Sequence, residues 1–281
     1  MADKMNKLYK SLIALVIVFG LQLIVYLFLF HPSIVRWGTT KQEISMPIPG
    51  DKYAEGINST RAITIQQPSD KVWKYLVDLG ADRRGFYSYD FIEKIVGCEF
   101  SKTMNEENHH LEVGRIISGD TAGTSQFAFK VIEVTQGQSM VLEHWGGFLV
   151  KPIDANNTRL IIRTHAKKPT HVFEWFNASV FDAMHHIMEK RMMLGIKDLA
   201  EMNGKYTSTN DFIWLLCIFA SGLGGVVLIF IYKGYNKLIF PSIFYLVWQL
   251  VLLILNPVLL AGVFILILTG SMLLIPFYKK E

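Results

Sequence analysis

Residues 158–202 have the sequence TRLIIRTHAKKPTHVFEWFNASVFDAMHHIMEKRMMLGIKDLAEM, and this stretch decides the fold. Its first part, Thr158–His165, alternates apolar and polar side chains as a β-strand does. From about His171 to Met202 the apolar side chains recur every three or four residues, which predicts one long helix. The predicted apolar face of that helix consists of Phe173, Phe176, Val180, Met184, Ile187, Met188, Arg191 and Leu194.

The chain before residue 158 repeats the strand pattern between closely spaced turn residues, which is typical of an antiparallel meander. The predicted strands are Arg61–Gln66, Leu111–Ser118, Gln126–Thr135, Ser139–Trp145 and Phe148–Pro152. Two short helices are predicted after the first strand, one starting with Ser69 as N-cap and one over about Asp90–Val96. Because a long helix buries its apolar face against a sheet, we predict an α+β domain with a curved antiparallel sheet around a long C-terminal helix.

Other parts of the chain are too apolar for an average soluble protein, since 51% of all residues are hydrophobic and the mean hydropathy is +0.29. Residues 11–30 and 212–232 carry no charge and match the roughly 20 residues that span a bilayer. Residues 238–278 are also uncharged, and Asn256-Pro257 interrupts them. Two antiparallel spans explain this run, and one long kinked helix is the alternative.

The predicted organisation has three parts. Residues 1–37 contain the N-terminus and the first span, which we interpret as an uncleaved anchor because no A-x-A-like cleavage site follows it. Residues 38–205 form the α+β domain, and residues 38–58 are interpreted as an irregular linker leading away from the membrane. Residues 206–281 form a membrane region with spans at about 212–232, 238–255 and 257–278.

The placement of basic residues predicts the topology. Seven lysines flank the apolar segments on one predicted side, and Arg36 alone is left for the other. Excess Lys and Arg mark the cytoplasmic side, so both termini are predicted in the cytoplasm and the domain outside, at a cell membrane. The seven lysines are Lys4, Lys7, Lys10, Lys233, Lys237, Lys279 and Lys280.

Several classes of function find no support in the sequence. The basic excess belongs to the membrane flanks, so it does not indicate nucleic acid as a partner. Cys98 and Cys217 lie in different predicted regions and form no disulfide framework. No spacing typical of metal ligands, nucleotide loops or hydrolase nucleophiles occurs, so no metal, cofactor or catalytic residue is predicted.

The domain resembles the START-like, or SRPBCC, superfamily, and within it the polyketide-cyclase/dehydrase-like branch. The resemblance covers about residues 45–202 and implies a helix-grip fold, on which lipid carriers, binding proteins and a few enzymes occur. Two departures concern Lys74, where the branch commonly has proline, and the short segment Thr103–His110. The matching segments are Ile63–Ile65, Val72–Leu76, Asp82–Asp90, Glu93, Gly114-Arg115, Thr158–Arg163 and Met192–Glu201.

Residues 82–93, DRRGFYSYDFIE, combine charge and aromatic surface and allow two interpretations. In the first, Asp90 caps the second helix with Glu93 three residues later, an arginine pairs with an acid, and the tyrosines fill space. In the second, Tyr87, Tyr89 and Arg83 form the lip of a ligand pocket, with aromatic walls and one cation for a polar group.

The other candidate pocket residues lie on the predicted strands and the long helix. Glu143 and Trp145 share a strand face by alternation. Arg163 and His165 share another, which would suit a carboxylate or phosphate if it faces inward; an outward, solvated Arg163 is the alternative. On the long helix, Met184 and Met188 either fill the core or form a deformable wall of a lipid-sized cavity.

Three functions are compatible with these observations. The favoured one is a membrane-anchored module that binds or transfers a membrane lipid or other hydrophobic small molecule, with the lipid bilayer as its second partner. An enzyme of the cyclase/dehydrase kind is an alternative, with Glu143, His165 and Tyr87 as the acid–base candidates. A ligand-free sensing or scaffold domain is the third.

Overall fold

The computed structural model describes residues 2–95, 110–119, 128–203 and 209–278. The chain divides into two compact units, which we call the helical unit (Met1–Ile34 with Thr209–Glu281) and the sheet unit (Val35–Ser208). Cys98 and the segment 103–109 lie outside the described residues, as do the ends of two predicted elements, Gln126–Thr135 and Asp90–Val96.

Among the described elements, three helices precede the first strand, two lie between the first and second strands, and four follow the last strand. The helices are α1 (Ala2–Val25), α2 (His31–Ile34), α3 (Lys41–Ser45), α4 (Ser69–Val77), α5 (Asp90–Ile95), α6 (Val172–Glu201), α7 (Thr209–Ile231), α8 (Asn236–Gln249) and α9 (Leu259–Tyr278). The strands are β1 (Gly56–Ile65), β2 (Ile116–Ser118), β3 (Ala128–Thr135), β4 (Ser139–Leu142), β5 (Gly146–Pro152) and β6 (Thr158–Ala166). Single turns of π-helix (Tyr26–Phe30 and Leu250–Ile254) and of 3-10 helix (Asp51–Tyr53) complete the described elements.

Within its described residues, the helical unit contains four helices that are long and apolar enough to cross a membrane. The candidate spans are Met5–Ile34, Thr209–Ile231, Asn236–Ile254 and Leu259–Pro276. Residues 238–278 therefore form two helices, separated at Asn256-Pro257, and the alternative of one kinked helix is wrong.

Contacts between these helices define their directions. The Tyr245 hydroxyl donates to the Gly222 carbonyl at 2.9 Å, and the Trp248 indole donates to Ile218 at 3.2 Å, so α8 runs antiparallel to α7. Near the end of α7, the Tyr232 hydroxyl donates to Met272 of α9 at 2.9 Å. At the start of both helices Gly262 lies against Trp214, so α9 is parallel to α7. The C-termini of α7 and α9 and the N-terminus of α8 therefore lie on the same side of the helical unit.

The sheet unit is α+β, with one six-stranded antiparallel sheet in the order β1-β6-β5-β4-β3-β2. The register pairs Arg61 with Ile162 and Gly147 with Arg163, so β5, β6 and the edge strand β1 are aligned over most of their length. The core lies on one face of the sheet, between the strands, α4 and the C-terminal half of α6. A hydrogen bond of 3.0 Å from the Tyr75 hydroxyl to the Leu199 carbonyl joins the two helices.

The buried side of α6 differs from the predicted apolar face. Phe173, Val180 and Met184 are 69%, 45% and 60% exposed, whereas Glu189 and Asp182 are buried. The prediction was wrong here because it assumed that the apolar side of the helix faces the sheet. Polar side chains of the strands partner the buried polar residues: Asn58 donates to Asp182, and Arg61 donates to Glu189. The buried stripe is Ser179, Asp182, His186, Glu189, Met193, Ile196 and Ala200.

Residues 38–53 are packed on the other face of the sheet, which corrects their interpretation as a linker. Thr40 and Glu43 form a capping box at the start of α3. The side chain of Arg163 in β6 donates to the carbonyls of Glu43, Ile44 and Met46 at 2.9–3.0 Å. A Cβ atom at Gly147 would overlap the carbonyl oxygen of Pro49, so the segment approaches the strand as closely as glycine permits. The buried Arg163 guanidinium requires hydrogen-bond acceptors, and the backbone carbonyls of residues 38–53 provide them.

Smaller differences concern where elements begin and end. Strand β1 begins at Gly56, five residues before the predicted strand, because β6 extends far enough to pair with it. Pro68 occupies the N-cap position of α4, and Ser69 is the first helical residue. Strand β4 ends at Leu142 because His144 has a positive φ of 65°, which breaks the alternation of a strand.

Candidate functional site

A buried carboxylate on α6, that of Glu189, is the centre of a polar network between the sheet and the helix. The Arg61 guanidinium donates to Oε1 at 2.8 Å. The other oxygen accepts from the Trp145 indole at 3.3 Å and from the Thr164 hydroxyl at 3.2 Å. Nε2 of His185, one helical turn before Glu189, lies 3.1 Å from the same oxygen. Both oxygens of the carboxylate are therefore in contact with side chains from β1, β6, α6 and the turn between β4 and β5.

The electrostatics of this group keep the carboxylate charged. Burial by itself raises the pKa of Glu189, but the Arg61 guanidinium and then His185 favour the ionised form. The net pKa of Glu189 lies below its usual range, so the carboxylate is ionised at neutral pH. The Arg61 and Glu189 side chains are fully buried, while His185 remains 19% exposed. Of these three ionisable groups, only the imidazole reaches solvent.

The turn between β4 and β5 positions Trp145. His144 has a φ of 65° and Gly146 a φ of 143°, and a Cβ atom at Gly146 would overlap the carbonyl oxygen of Arg163. Backbone bonds of 3.2 Å from Trp145 N to Leu142 O and of 2.8 Å from His165 N to Trp145 O fix the turn. The indole therefore points to the α6 side of the sheet, where it reaches Glu189.

Trp145 is also the centre of a group of rings that we call the aromatic cluster. Its ring centroid lies 4.7 Å from that of Phe129, 5.3 Å from Phe148 and 5.9 Å from Phe86. On the opposite side the imidazole of His185 is 6.3 Å away, and Phe181 follows at 6.0 Å from His185. Phe148 is fully buried and Phe181 is 58% exposed. The cluster thus runs from the core to the surface of the sheet unit. Its members are Phe86, Phe129, Trp145, Phe148, Phe181 and His185.

Tyr87 and Tyr89, predicted to form a pocket lip, are both buried, with 6% and 1% exposure. Tyr87 has a φ of 56°, and its carbonyl lies against Gly195 of α6 so closely that a Cβ atom there would overlap it. Burial raises the pKa of the Tyr87 hydroxyl well above its usual value. This hydroxyl has no hydrogen-bond partner within the described part of the chain. Both tyrosines form part of the packed interior.

The charged residues of the same stretch are held locally. Arg83 lies 3.6 Å from Asp78, and the Arg84 guanidinium lies 5.9 Å from the ring centroid of Tyr87. Glu93 accepts from the backbone N–H groups of Phe86 at 2.9 Å and Ser88 at 2.7 Å. The predicted capping box with Asp90 is therefore absent from this described segment, because Glu93 binds the preceding turn instead. Burial raises the pKa of Glu93 to about 7, although these two hydrogen bonds act in the opposite direction.

Arg163 and His165 share a face, as alternation predicts, but it is the face away from α6. Arg163 donates to Asp51 at 2.6 Å and to Thr60 at 3.1 Å, in addition to the three carbonyls of residues 43–46. His165 lies 3.8 Å from Asp51, and its pKa is lowered, chiefly by burial. The anion that this pair holds is the chain's own Asp51.

The remaining predicted pocket residues are separated. Glu143 is exposed in the β4–β5 turn and does not share a face with the buried Trp145, because the turn replaces the predicted strand. Met184 is 60% exposed on α6. Met188 is half-buried, and its carbonyl accepts from the Ser88 hydroxyl at 2.9 Å. Only Trp145 of the predicted set therefore belongs to the aromatic cluster.

Sequence reasoning missed Arg61, His185 and Glu189. His185 and Glu189 are four residues apart, so they share one face of a helix. Arg61 is a charged residue within an otherwise strand-like stretch, which indicates a buried partner on the opposing element. A search for complementary charges between the predicted first strand and the predicted long helix would have found the Arg61–Glu189 pair.

Comparison with known proteins adds no assignment: no protein-family model, no curated protein and no solved structure matches this chain.

Proposed function

We propose that the sheet unit is a helix-grip domain of the START-like class and that it binds a hydrophobic molecule with a polar end. The six-stranded antiparallel sheet and the 30-residue helix α6 along one of its faces support this class. The four candidate spans support a role at a bilayer, which is the nearest source of such a molecule. From the basic flanks we further propose that the sheet unit lies outside the cytoplasm and that its ligand is a lipid of that membrane or a similar hydrophobic compound.

One observation carries the proposal: the aromatic cluster connects the surface to a buried, charged network. Its rings offer apolar faces to an acyl chain or ring system. His185 lies at the point where the cluster meets the network, and its Nε2 is held by Glu189 at 3.1 Å. The polar contact of His185 with Glu189 is made by Nε2, which leaves Nδ1 as the nitrogen offered to the ligand's head group.

The charge balance of the network suits a polar or anionic end. Arg61 neutralises Glu189, so the carboxylate does not repel an acidic head group. Core side chains fill the interface between the sheet and α6. The ligand therefore enters by displacing Phe181 and Met184, which are 58% and 60% exposed. Exposed apolar side chains next to a buried aromatic group are typical of a site for apolar molecules.

An acid–base enzyme is the second candidate, and the His185–Glu189 pair is the observation that favours it. A carboxylate that orients an imidazole within hydrogen-bond distance is an arrangement used for general base catalysis. The three acid–base candidates from the sequence do not converge: Glu143 is exposed, His165 pairs with Asp51 on the far face, and Tyr87 is buried by Gly195.

A binding experiment with a matched control tests the proposal. The full-length protein in detergent is titrated with a fluorescent fatty acid, and the same titration is repeated with His185→Ala and His171→Ala. Both histidines belong to α6 or its N-cap and face a glutamate, but His171 and Glu174 are 59% and 50% exposed. We expect His185→Ala to weaken binding roughly tenfold, from the loss of one polar and one ring contact.

His171→Ala should bind the probe as the wild type does. Equal affinity of all three proteins would overturn the proposed site. If the probe binds normally and is chemically changed by the wild type alone, the enzyme hypothesis replaces the binding one.

A further inference from the structure

A groove in the helical unit, at the end where α1 begins, combines apolar walls with a basic rim. It lies between the start of α1, the end of α7 and the start of α8, and its volume is about 600 Å³. Ile13, Ala14 and Ile17 of α1 form one wall, and Phe230 and Leu238 belong to the other side. All of these are apolar side chains of candidate membrane-spanning helices.

Four lysines line the same groove: Lys7 and Lys10 from α1, Lys233 from the α7–α8 connection, and Lys237 from α8. Among the described residues of the lining there is no aspartate or glutamate, so the rim carries a local excess of positive charge. Lys237 donates a hydrogen bond to the Ser11 hydroxyl, which itself donates to the carbonyl of Lys7 at 3.1 Å. This chain of contacts directs the Lys237 ammonium into the groove.

Along the helix axes, the charged and apolar groups of the groove follow the same order as the head group and acyl chains of a phospholipid. The lysines lie at the ends of the helices, where head groups meet water, and the apolar walls continue from there along the helices. A site of this volume exceeds the size of a phosphate and accommodates a head group with the upper part of its acyl chains. Basic pockets between membrane helices bind anionic head groups by this combination of charge and apolar contact.

We propose that this lysine groove is a binding site for an anionic phospholipid. The phosphate and any further anionic group lie between the four ammonium groups, and an acyl chain follows the wall formed by Ile13, Ala14 and Ile17. The site lies wholly within the helical unit and involves none of the residues of the aromatic cluster. Its failure in a test and the failure of the function proposed for the sheet unit are therefore distinguishable.

Native mass spectrometry of the full-length protein in detergent, with defined lipids added back, tests the proposal. The probes are dioleoyl-phosphatidylglycerol, dioleoyl-phosphatidylcholine and inorganic phosphate. The variants are Lys233→Gln with Lys237→Gln and, as a matched control, Lys167→Gln with Lys168→Gln, two exposed lysines of the sheet unit. Neutralising one lysine near a head group weakens anionic lipid binding about fivefold, so the groove pair should lose roughly 25-fold in affinity.

The wild type and the control should bind phosphatidylglycerol alike and prefer it to phosphatidylcholine. Lys237→Arg, which keeps the charge, should retain the affinity and shows that loss in the Gln pair is not a folding defect. Equal binding of the two lipids, or unchanged phosphatidylglycerol binding in the groove pair, would overturn the proposal. A response to inorganic phosphate without one to the lipid would also overturn it, because the site would then hold a free anion. His185→Ala should leave phosphatidylglycerol binding unchanged.

Discussion

The buried carboxyl of Glu93 should make the stretch around residues 82–93 less stable as the pH rises. Burial raises its folded-state pKa from 4.5 to about 7. Between these two pH values the folded state binds more protons than the unfolded state, so the free energy of unfolding falls with increasing pH. The contribution is fully present below about pH 4.5 and is lost as the pH passes through about 7. A rise of about 2.5 pH units in a pKa corresponds to about 3 kcal/mol.

Hydrogen exchange measures this effect locally, because Glu93 accepts the backbone N–H groups of Phe86 and Ser88. The assay follows peptides covering residues 82–93 in the full-length protein by mass spectrometry, from pH 4.5 to 7.5, with correction for the intrinsic exchange rate. We expect protection of these amides to fall by up to roughly a hundredfold over that range. Glu93→Gln should abolish the decrease, while Glu112→Gln, at an exposed position, should not. Protection that stays constant or increases with pH in the wild type would refute the reasoning.

Other predictions concern the two faces of the sheet. Arg163→Met should cost about 3–5 kcal/mol of stability, because it leaves Asp51 and buried carbonyls without their donor. A melting temperature equal to that of the wild type would contradict this. Gly195→Ala should lower the melting temperature by an amount equivalent to about 1–3 kcal/mol, since its Cβ atom would overlap the Tyr87 carbonyl. A helix interior normally gains from this substitution, so a raised melting temperature would show that α6 is not packed against Tyr87.

The spans and the sheet were accessible from the sequence because each depends on a local pattern. An uncharged run of about 20 residues indicates a membrane helix whatever its surroundings, and four such helices are present. Alternation between turn residues likewise indicates antiparallel strands, and the structure has six of them in one sheet. Asn256-Pro257 separated two helices, as the missing N–H of proline suggested.

The orientation of α6 was not accessible in this way. Apolar residues occur on both sides of α6, so they do not determine which side is buried. The buried side is the one whose polar residues pair with polar side chains of the sheet. Asp182 and Glu189 are buried because Asn58 and Arg61 lie opposite them on β1, a pairing that depends on strands more than 100 residues away. Residues 38–53 pack on the sheet for the same reason, because their backbone carbonyls are the acceptors that Arg163 of β6 requires. Long-range complementarity of buried polar groups decided both features.

In the candidate site, too, local patterns could be predicted from the sequence and long-range contacts could not. Trp145 was identified from alternation on a predicted strand, as sharing a face with Glu143, but the turn that points it to α6 depends on the positive φ of His144. His185 and Glu189 match no catalytic motif and add nothing to an apolar face, so only their four-residue spacing and the charge complementary to Arg61 could have indicated them.

Native mass spectrometry of the full-length protein after gentle extraction tests most directly whether the aromatic cluster holds a ligand. The comparison uses the wild type, a variant with Trp145→Leu and His185→Ala, and the groove pair Lys233→Gln with Lys237→Gln. A phospholipid in the lysine groove would remain on the Trp145 and His185 variant, so the adduct that decides the test is the one that the groove pair still carries. We predict that the wild type and the groove pair retain this adduct and that the Trp145 and His185 variant lacks it. If no such adduct accompanies the wild type, or if the adduct persists without Trp145 and His185, ligand binding by the sheet unit at this site is contradicted.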